Sequence, residues 1–222
     1  MTDTDADTTA TPAPAAATAK RRRAPTKRVK ERPLTENDWV EAAIDILVEE
    51  NVRGIQLHKL CTVLGVTKGS FYWHFKKRSD LLAAMLQTWR SRMTLNVIQN
   101  ITRTGPHGMD RLRRLLILPR RPKSQAFAAI ESSIRDWARR VEMPRKAIWE
   151  VDQIRMSFFE QIFRDHGFDE DEARKRSYIA YCAMMGDSVL HKTLGDQVDE
   201  AAYVDKVVEL LTAPLAPPGT QP

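Results

Sequence analysis

Apolar side chains recur along most of the chain three and four residues apart, the spacing of an amphipathic α-helix. This pattern extends over about residues 34–212, and no convincing alternation of apolar and polar positions interrupts it. Alternation of that kind is the mark of a half-buried β-strand. The pattern therefore predicts an all-α fold.

The first predicted helix follows Thr35, a favourable N-cap residue with Asp38 three positions later. Its apolar stripe consists of Trp39, Ala43, Ile46 and Leu47. The helix is predicted to end within residues 51–54, where Gly54 is expected to adopt the left-handed conformation of a C-terminal cap. A helix of about five turns is thus expected at the start of the folded region.

Two short helices joined by a tight turn are predicted next. The second helix has apolar residues at i, i+3, i+4 and i+7, namely Leu57, Leu60, Cys61 and Leu64. Gly65 ends it, and Thr67 is predicted to cap a third helix from Lys68 to about His74, with Phe71 and Phe75 facing inward. Two short helices around a glycine turn are typical of a helix-turn-helix, whose second helix enters the major groove of DNA.

Longer helices are predicted downstream. Their approximate ranges are 79–100, 109–118, 124–141, 144–166, 170–191 and 198–212. Pro119 and Pro122 are expected to bracket a loop, because proline interrupts helices. The last two segments are amphipathic and offer an apolar face for packing.

The two ends of the chain have a different composition. Residues 1–19 contain only Met, Thr, Asp, Ala and Pro, and the last ten residues include four prolines. Neither segment can bury an apolar core, so both are predicted to be disordered. The predicted organisation is a disordered basic arm over 1–33, a helix-turn-helix domain over 34–80, a helical domain over 81–212 and a tail over 213–222.

Positive charge is concentrated ahead of the first helix. The net charge is +6, and residues 20–32 hold eight Lys or Arg residues against one Glu. Such a cluster is either a solvated linker or an arm that lies along a DNA groove. The candidate DNA-binding residues of the arm are Arg21, Arg22, Arg23, Lys27 and Arg28.

One stretch carries a family resemblance. Residues 54–75 read GIQLHKLCTVLGVTKGSFYWHF and are followed by Lys77, Arg78, Leu81 and Leu82. This string resembles the DNA-binding domain of tetracycline-repressor (TetR) family regulators. Gln56 departs from the family pattern, which has Ser or Thr at that cap. The segment 131–140, ESSIRDWARR, is similar to a common C-terminal subtype of the same family.

The resemblance implies a DNA-binding surface in a helix-turn-helix of about residues 55–74. Its candidate contact residues are Thr67, Lys68, Gly69, Ser70, Tyr72, Trp73, His74, Lys77 and Arg78. Lys77 and Arg78 are expected to clamp the DNA backbone. An alternative interpretation remains for three of the residues: Tyr72 and Trp73 could be packing aromatics, and His74 could cap the helix end.

The resemblance also implies a homodimeric repressor that releases a palindromic DNA operator when it binds a small, largely apolar effector. Homodimerisation is expected through the last two helices. The candidate pocket residues are Met93, Phe127, Ile134, Trp137, Trp149, Met156, Phe159, Tyr178, Tyr181 and Met185. Trp137 and Trp149 are favoured, because a buried indole N–H needs a partner. For each residue the alternative is an ordinary core position.

Other classes of protein fit the sequence less well. No catalytic motif is found, so an enzyme is not expected, and neither a cofactor nor a metal is implied. Asp187 and His191 are interpreted as a hydrogen-bonded pair on one helix. Two distant cysteines, no signal peptide and no membrane span favour a cytoplasmic protein. The alternative function is a non-specific, architectural DNA-binding protein that acts through the basic arm.

Overall fold

A computed structural model describes residues 32–104 and 107–214, except for the side chains of Lys123 and Asp196. Its α-helices are α1 Glu36–Gly54, α2 Leu57–Leu64, α3 Lys68–His74, α4 Arg78–Arg90, α5 Asn96–Thr104, α6 Met109–Ile117, α7 Pro122–Ala138, α8 Glu142–Asp165, α9 Glu170–Leu194 and α10 Glu200–Thr212. No β-strand occurs in these described ranges. The predicted all-α fold is confirmed. Among the same residues, no helix combines the length and apolar character of a membrane span.

Local hydrogen bonds stabilise both ends of α1. The carboxylate of Asp38 accepts hydrogen bonds from the backbone N–H of Thr35 at 2.8 Å and from its hydroxyl at 2.9 Å. At the other end, Asn51 takes the positive φ of 64° that was expected of Gly54. The side chain of Asn51 stabilises this bend by accepting from the backbone N–H of Arg53 at 2.9 Å.

Gly54 is needed for a different reason from the one predicted. A Cβ atom at this position would lie 2.6 Å from the Cβ of Glu50, too close for any real side chain. The expected left-handed glycine is instead Gly65, which ends α2 with a φ of 68°. The turn between the two short helices therefore has the predicted glycine, and this glycine is left-handed.

The helix-turn-helix is held by an aromatic core. Trp39 of α1 and Phe71 of α3 pack edge to face, with ring centroids 5.3 Å apart. Phe71 also contacts Phe75, and both side chains are buried as predicted, together with Cys61. The same core continues into α4 and reaches residues of α7 and α8. The helix-turn-helix is thus packed directly onto the following helices.

The long helix after the helix-turn-helix contains an irregular turn. Residues Ser91–Leu95 form a π-helical turn that joins α4 to α5, so the helical path runs from Arg78 to Thr104. The predicted range of 79–100 captured its start and missed the last turn. A π-helical turn inside an α-helix is uncommon and is frequently found at functional sites.

The second core lies among α5, α6, α8, α9 and α10. A short 3₁₀ turn at Leu118–Arg120 precedes α7, which begins at Pro122. The predicted connection is thus a 3₁₀ turn followed by Arg121. Helix α7 begins two residues earlier than predicted, because Pro122 supplies the fixed φ of a first helical residue. Asp187 does not bind the His191 ring through its carboxylate. That carboxylate forms a buried ion pair with Arg120 at 2.9 Å, and the His191 Nδ1 lies 2.6 Å from the Asp187 carbonyl oxygen.

Candidate nucleic-acid interface and effector cavity

The outer face of α3 exposes two large aromatic side chains. Trp73 is 89% exposed and Tyr72 is 60% exposed, whereas Phe71 beside them is 2% exposed. Trp73 is therefore not a packing aromatic within this chain, and Tyr72 only touches Phe71 at its edge. His74 is half-buried, with its ring 6.4 Å from that of Trp39. A rigid helix with exposed aromatic residues indicates a binding surface.

Small and polar residues occupy the first turn of α3. Thr67 has the extended backbone of an N-cap residue, but its side chain accepts no cap hydrogen bond. Its carbonyl oxygen accepts from the backbone N–H of Ser70 at 3.1 Å. Thr67, Lys68 and Gly69 are exposed, and a Cβ atom at Gly69 would meet only the Thr67 hydroxyl, at 3.7 Å. The fold itself therefore does not require a glycine at position 69.

The two basic residues after α3 have different surroundings. Lys77 is exposed, and its backbone N–H binds the Asp80 carboxylate at 3.2 Å. Arg78 instead donates to the carbonyl oxygens of Ile55 and Val52, both at 2.6 Å. These contacts hold the α1–α2 turn against α4. The expected contact of Arg78 with the DNA backbone stays a prediction.

The predicted basic arm lies largely outside the described residues. Arg21, Arg22, Arg23, Lys27 and Arg28 all fall there. Arg32, at the start of the described chain, forms a bidentate ion pair with Asp38 at 3.0 and 3.1 Å. This contact fixes the point at which the basic segment joins α1.

An apolar cavity of about 200 Å³ lies between the α4–α5 path, α7, α8 and α9. Four of the predicted pocket residues line it: Met93, Phe127, Phe159 and Met185. Val97, Ile98, Phe158 and Met184 complete much of the apolar wall and were not predicted. Methionine and aromatic side chains are typical of cavities that adapt to apolar ligands.

The other predicted pocket residues lie elsewhere. Ile134 and Trp137 belong to the core shared with α1 and α4, while Met156 and Tyr181 pack in the second core. Trp149 and Tyr178 are 62% and 64% exposed. Neither of the two favoured tryptophans lines this cavity. Trp137 fills a packed core, and Trp149 is mostly in solvent and needs no buried partner for its indole.

Two charged residues of the cavity wall were not predicted. Glu131 on α7 is 5% exposed and forms an ion pair with Arg155 of α8 at 3.1 Å. Arg135 joins Glu131 to Asp152 through further ion pairs of 2.8 and 2.6 Å. The sequence signals are the i, i+4 spacing of Glu131 and Arg135, which is also typical of an exposed helix face, and the family resemblance of residues 131–140, which does not point to a cavity.

Burial and neighbouring charges shift the pKa values of Arg155 and Tyr181 in this cluster. Burial lowers the pKa of Arg155, but Glu131 and Tyr181 outweigh it and the net pKa is raised. Burial raises the pKa of Tyr181 to about 12; Arg155 lowers it and Asp152 raises it. At neutral pH, therefore, Arg155 is charged and the Tyr181 hydroxyl keeps its proton.

Comparison with known proteins finds a similar domain near the start of the described chain. Residues 40–85 match the family model of bacterial regulatory proteins of the tetR family. The tetracycline repressor protein class A from transposon 1721 of Escherichia coli is 32% identical over 102 residues, which are 46% of this chain and 44% of that protein. The chain thus aligns with less than half the length of the curated relatives that it matches.

Solved structures match over most of the chain. Salmonella enterica GusR has a TM-score of 0.64 at 15% identity, covering 82% of this chain and 97% of its own. Bacillus subtilis FadR, in complex with stearoyl-CoA, has a TM-score of 0.61 at 16% identity, covering 82% and 100%. At this level of identity, these similarities show a shared fold and nothing more. Over residues 40–85 the chain is similar to the DNA-binding domain of TetR-family regulators.

Proposed function

We propose that this protein is a homodimeric transcriptional repressor that binds a palindromic DNA operator and releases it on binding a small apolar effector. The exposed aromatic face of α3 is the observation that carries the proposal. Phe71 anchors the helix in the core, so Tyr72 and Trp73 project from a rigid support. Preorganised side chains lose little entropy when they bind, which suits a surface that reads one sequence.

The residues of α3 have distinct proposed roles on DNA. Lys68, Thr67 and Ser70 contact phosphates or base edges at the start of the helix, where recognition helices approach the bases. Tyr72 and His74 donate to phosphates, which fixes the register without specifying sequence. Trp73 contacts sugars or thymine methyl groups. Gly69 permits close approach of the backbone, and Lys77 binds the flanking phosphate.

A second copy of the chain is the proposed partner of α9. The outer face of this helix carries a row of exposed apolar residues: Tyr178, Ile179, Cys182, Val189, Leu190 and Leu194. A contiguous apolar row of this kind favours a protein interface over solvent. A two-fold dimer with α10 beside α9 would present two α3 helices to half-sites about 34–36 Å apart.

The proposed effector site is the cavity beside the π-helical turn. Met93 and Thr94 of that turn contribute to the cavity wall, and the same helical path begins directly after α3. A ligand shifts an equilibrium only by its different affinity for two states. A bound effector that displaces this turn would alter the separation of the two α3 helices and weaken operator binding.

The test is a selection of binders from random DNA duplexes at near-physiological salt. We expect a two-fold symmetric site, bound on the order of 10³-fold or more tightly than unrelated DNA. A pool without any common sequence, bound with a steep salt dependence, would contradict the proposal. That result would support the alternative of a non-specific, architectural protein that uses its basic arm.

A deletion variant tests whether the predicted basic arm binds DNA. Deletion of residues 1–31 removes the predicted basic contacts and keeps the Arg32–Asp38 pair at the start of α1. We expect weaker binding, a shallower salt slope and the same selected sequence, because arm contacts to phosphate are not sequence-specific. An unchanged salt slope would show that the arm does not bind DNA.

A further inference from the structure

The wall of the cavity is almost entirely apolar. Glu131 and Arg155 are its two ionisable residues, and they form an ion pair with each other. The remaining polar side chains are the hydroxyls of Thr94, Ser124 and Ser188. A charge that a ligand carries into the cavity could therefore be neutralised only by one of these two residues.

Arg155 has no donor left for a ligand. Its Nε donates to the Thr94 hydroxyl at 3.1 Å, and its Nη2 donates to the Met93 carbonyl at 3.4 Å. Glu131 accepts from Nη1 at 3.2 Å and from Nη2 at 3.1 Å. The fifth N–H, on Nη1, donates to the Tyr181 hydroxyl at 3.2 Å. A guanidinium has five N–H groups, and each has a partner here.

Glu131 is saturated in the same way. Besides Arg155, its Oε1 accepts from the Arg135 Nε at 2.9 Å, and its Oε2 accepts from the Trp89 indole at 3.2 Å. Asp152 balances the charge of Arg135 at the far side of the cluster. The two carboxylates and two guanidiniums sum to zero charge, so the cluster offers a ligand no excess of either sign.

We propose that the cavity accepts an uncharged, lipophilic effector, and that Glu131 excludes carboxylates because it already occupies Arg155. This inference rests on the proposed role of the cavity as the effector site. A ligand carboxylate could reach Arg155 only by displacing Glu131 and leaving that buried charge with fewer partners, which is strongly unfavourable. A ligand ammonium would have to compete with two guanidiniums for Glu131.

The size of the cavity sets the size of the effector. A dry apolar cavity of about 150 Å³ is large enough to bind benzene. The cavity of about 200 Å³ therefore suits a compact lipophile somewhat larger than benzene. Suitable probes are 1-octanol, octanoate and octylammonium, which share one alkyl chain and differ in the charge of the head group.

The first experiment measures binding of the three probes to the wild-type full chain by calorimetry and by the change in Tm. We expect 1-octanol to bind on the order of ten-fold or more tightly than either ion, since each ion would lose its hydration without gaining a free partner. Ala128→Trp, which fills the cavity from α7, should abolish octanol binding. Equal or tighter binding of octanoate, no binding of any probe, or octanol binding that survives Ala128→Trp would overturn the proposal.

The second experiment changes the selectivity. Glu131→Gln removes the internal carboxylate and leaves Arg155 in need of an anion, so octanoate should now bind on the order of ten-fold or more tightly than to the wild type. Glu150→Gln is the matched control, because it removes a half-exposed partner of Arg90 that does not line the cavity. Octanoate affinity that is unchanged in folded Glu131→Gln would contradict the role of Glu131. If that variant does not fold, the wild-type selectivity still decides the proposal.

Separate measurements test the uncharged ligand class and the proposed regulatory function. Operator binding is measured on the selected duplex without any probe, and probe binding is measured without DNA. If the protein prefers octanol but selects no DNA sequence, the proposed role as a sequence-specific regulator is refuted. The proposal of an uncharged ligand then still stands. Specific DNA binding with octanoate preferred over octanol would refute the ligand class alone.

Discussion

The region around α3 and the region around the cavity are stabilised differently. In the first, Trp39, Phe71 and Phe75 pack ring against ring, and among the described residues before Thr94 no polar or charged side chain is fully buried. In the second, buried ion pairs such as Glu131–Arg155 adjoin an apolar cavity. One region is a filled core, and the other combines unfilled space with paired charges.

This difference matches two proposed tasks. A filled aromatic core resists deformation, because protein interiors are packed as densely as organic crystals. It therefore suits a helix that must hold a fixed geometry on DNA. A cavity bordered by hydrogen bonds to the π-helical turn can exchange one set of contacts for another. The following substitutions test this contrast, from the largest expected effect to the smallest.

The largest loss of stability is expected in the filled aromatic core around Phe71. Phe71→Ala should lower the free energy of unfolding by about 3–5 kcal/mol, because it opens a hole in a packed core. Phe127→Ala, which removes the same ring from a half-buried position on an existing cavity, should lower it by only about 1 kcal/mol. Chemical denaturation of both variants measures the difference. Equal losses would mean that the two regions are equally well packed.

The next effect is expected in the charge cluster. Arg155→Met should lower the free energy of unfolding by about 3 kcal/mol, because it leaves Glu131 buried with one fewer cation. Arg164→Met, which breaks the more exposed i, i+4 pair with Glu160, should change it by less than about 1 kcal/mol. The double variant Glu131→Gln, Arg155→Met should be more stable than Arg155→Met alone. A double variant that is less stable would contradict the account of the buried pair.

A smaller and pH-dependent effect is expected at Tyr181. Its hydroxyl donates to Asp152 at 2.7 Å, so Tyr181→Phe should cost about 1 kcal/mol at neutral pH. The folded pKa is raised to about 12, and an unfolded tyrosine titrates near 10. The unfolded state therefore releases its proton first, and this contribution to stability is lost as the pH rises from about 10 to about 12. Tyr181→Phe should flatten the fall in stability over that range, and an unchanged slope would contradict the assignment.

The smallest effect on stability is expected at Gly69. Gly69→Ala should leave the fold intact and even stabilise α3 by up to about 1 kcal/mol, because the added methyl meets only ordinary contact. Affinity for the selected duplex should nevertheless fall if the backbone lies against DNA. Denaturation and duplex binding are measured on the same preparation. Unchanged affinity would show that the backbone does not approach DNA at this position.

Helical periodicity was sufficient to predict most of the fold. The segment predicted as 109–118 is Met109–Ile117, and that predicted as 144–166 is Glu142–Asp165. The bend at Asn51 and the π-helical turn at Ser91–Leu95 were missed, because each involves too few residues to be recognised in a periodic pattern. The glycine of the turn at Gly65 could be predicted, since its neighbours fix where α2 must end.

The cavity could be predicted only in part. Phe127 and Trp137 both lie on the inner side of α7, yet one lines the cavity and the other fills the core. Periodicity identifies an inward-facing side chain and does not tell whether the opposite wall touches it. Glu131 and Arg155 were missed for a related reason. They lie on different helices, and only tertiary packing shows that each neutralises the other.

The most direct test of the central claim compares two exposed tryptophans. Affinity for the selected duplex is measured by fluorescence anisotropy for the wild type, Trp73→Ala on α3 and Trp149→Ala on α8. Both side chains are largely exposed, so neither substitution should unfold the protein. We expect Trp73→Ala to weaken binding by about ten-fold or more, equivalent to about 1.4 kcal/mol, and Trp149→Ala to leave it unchanged. Equal affinities for both variants would contradict the claim that the outer face of α3 binds DNA.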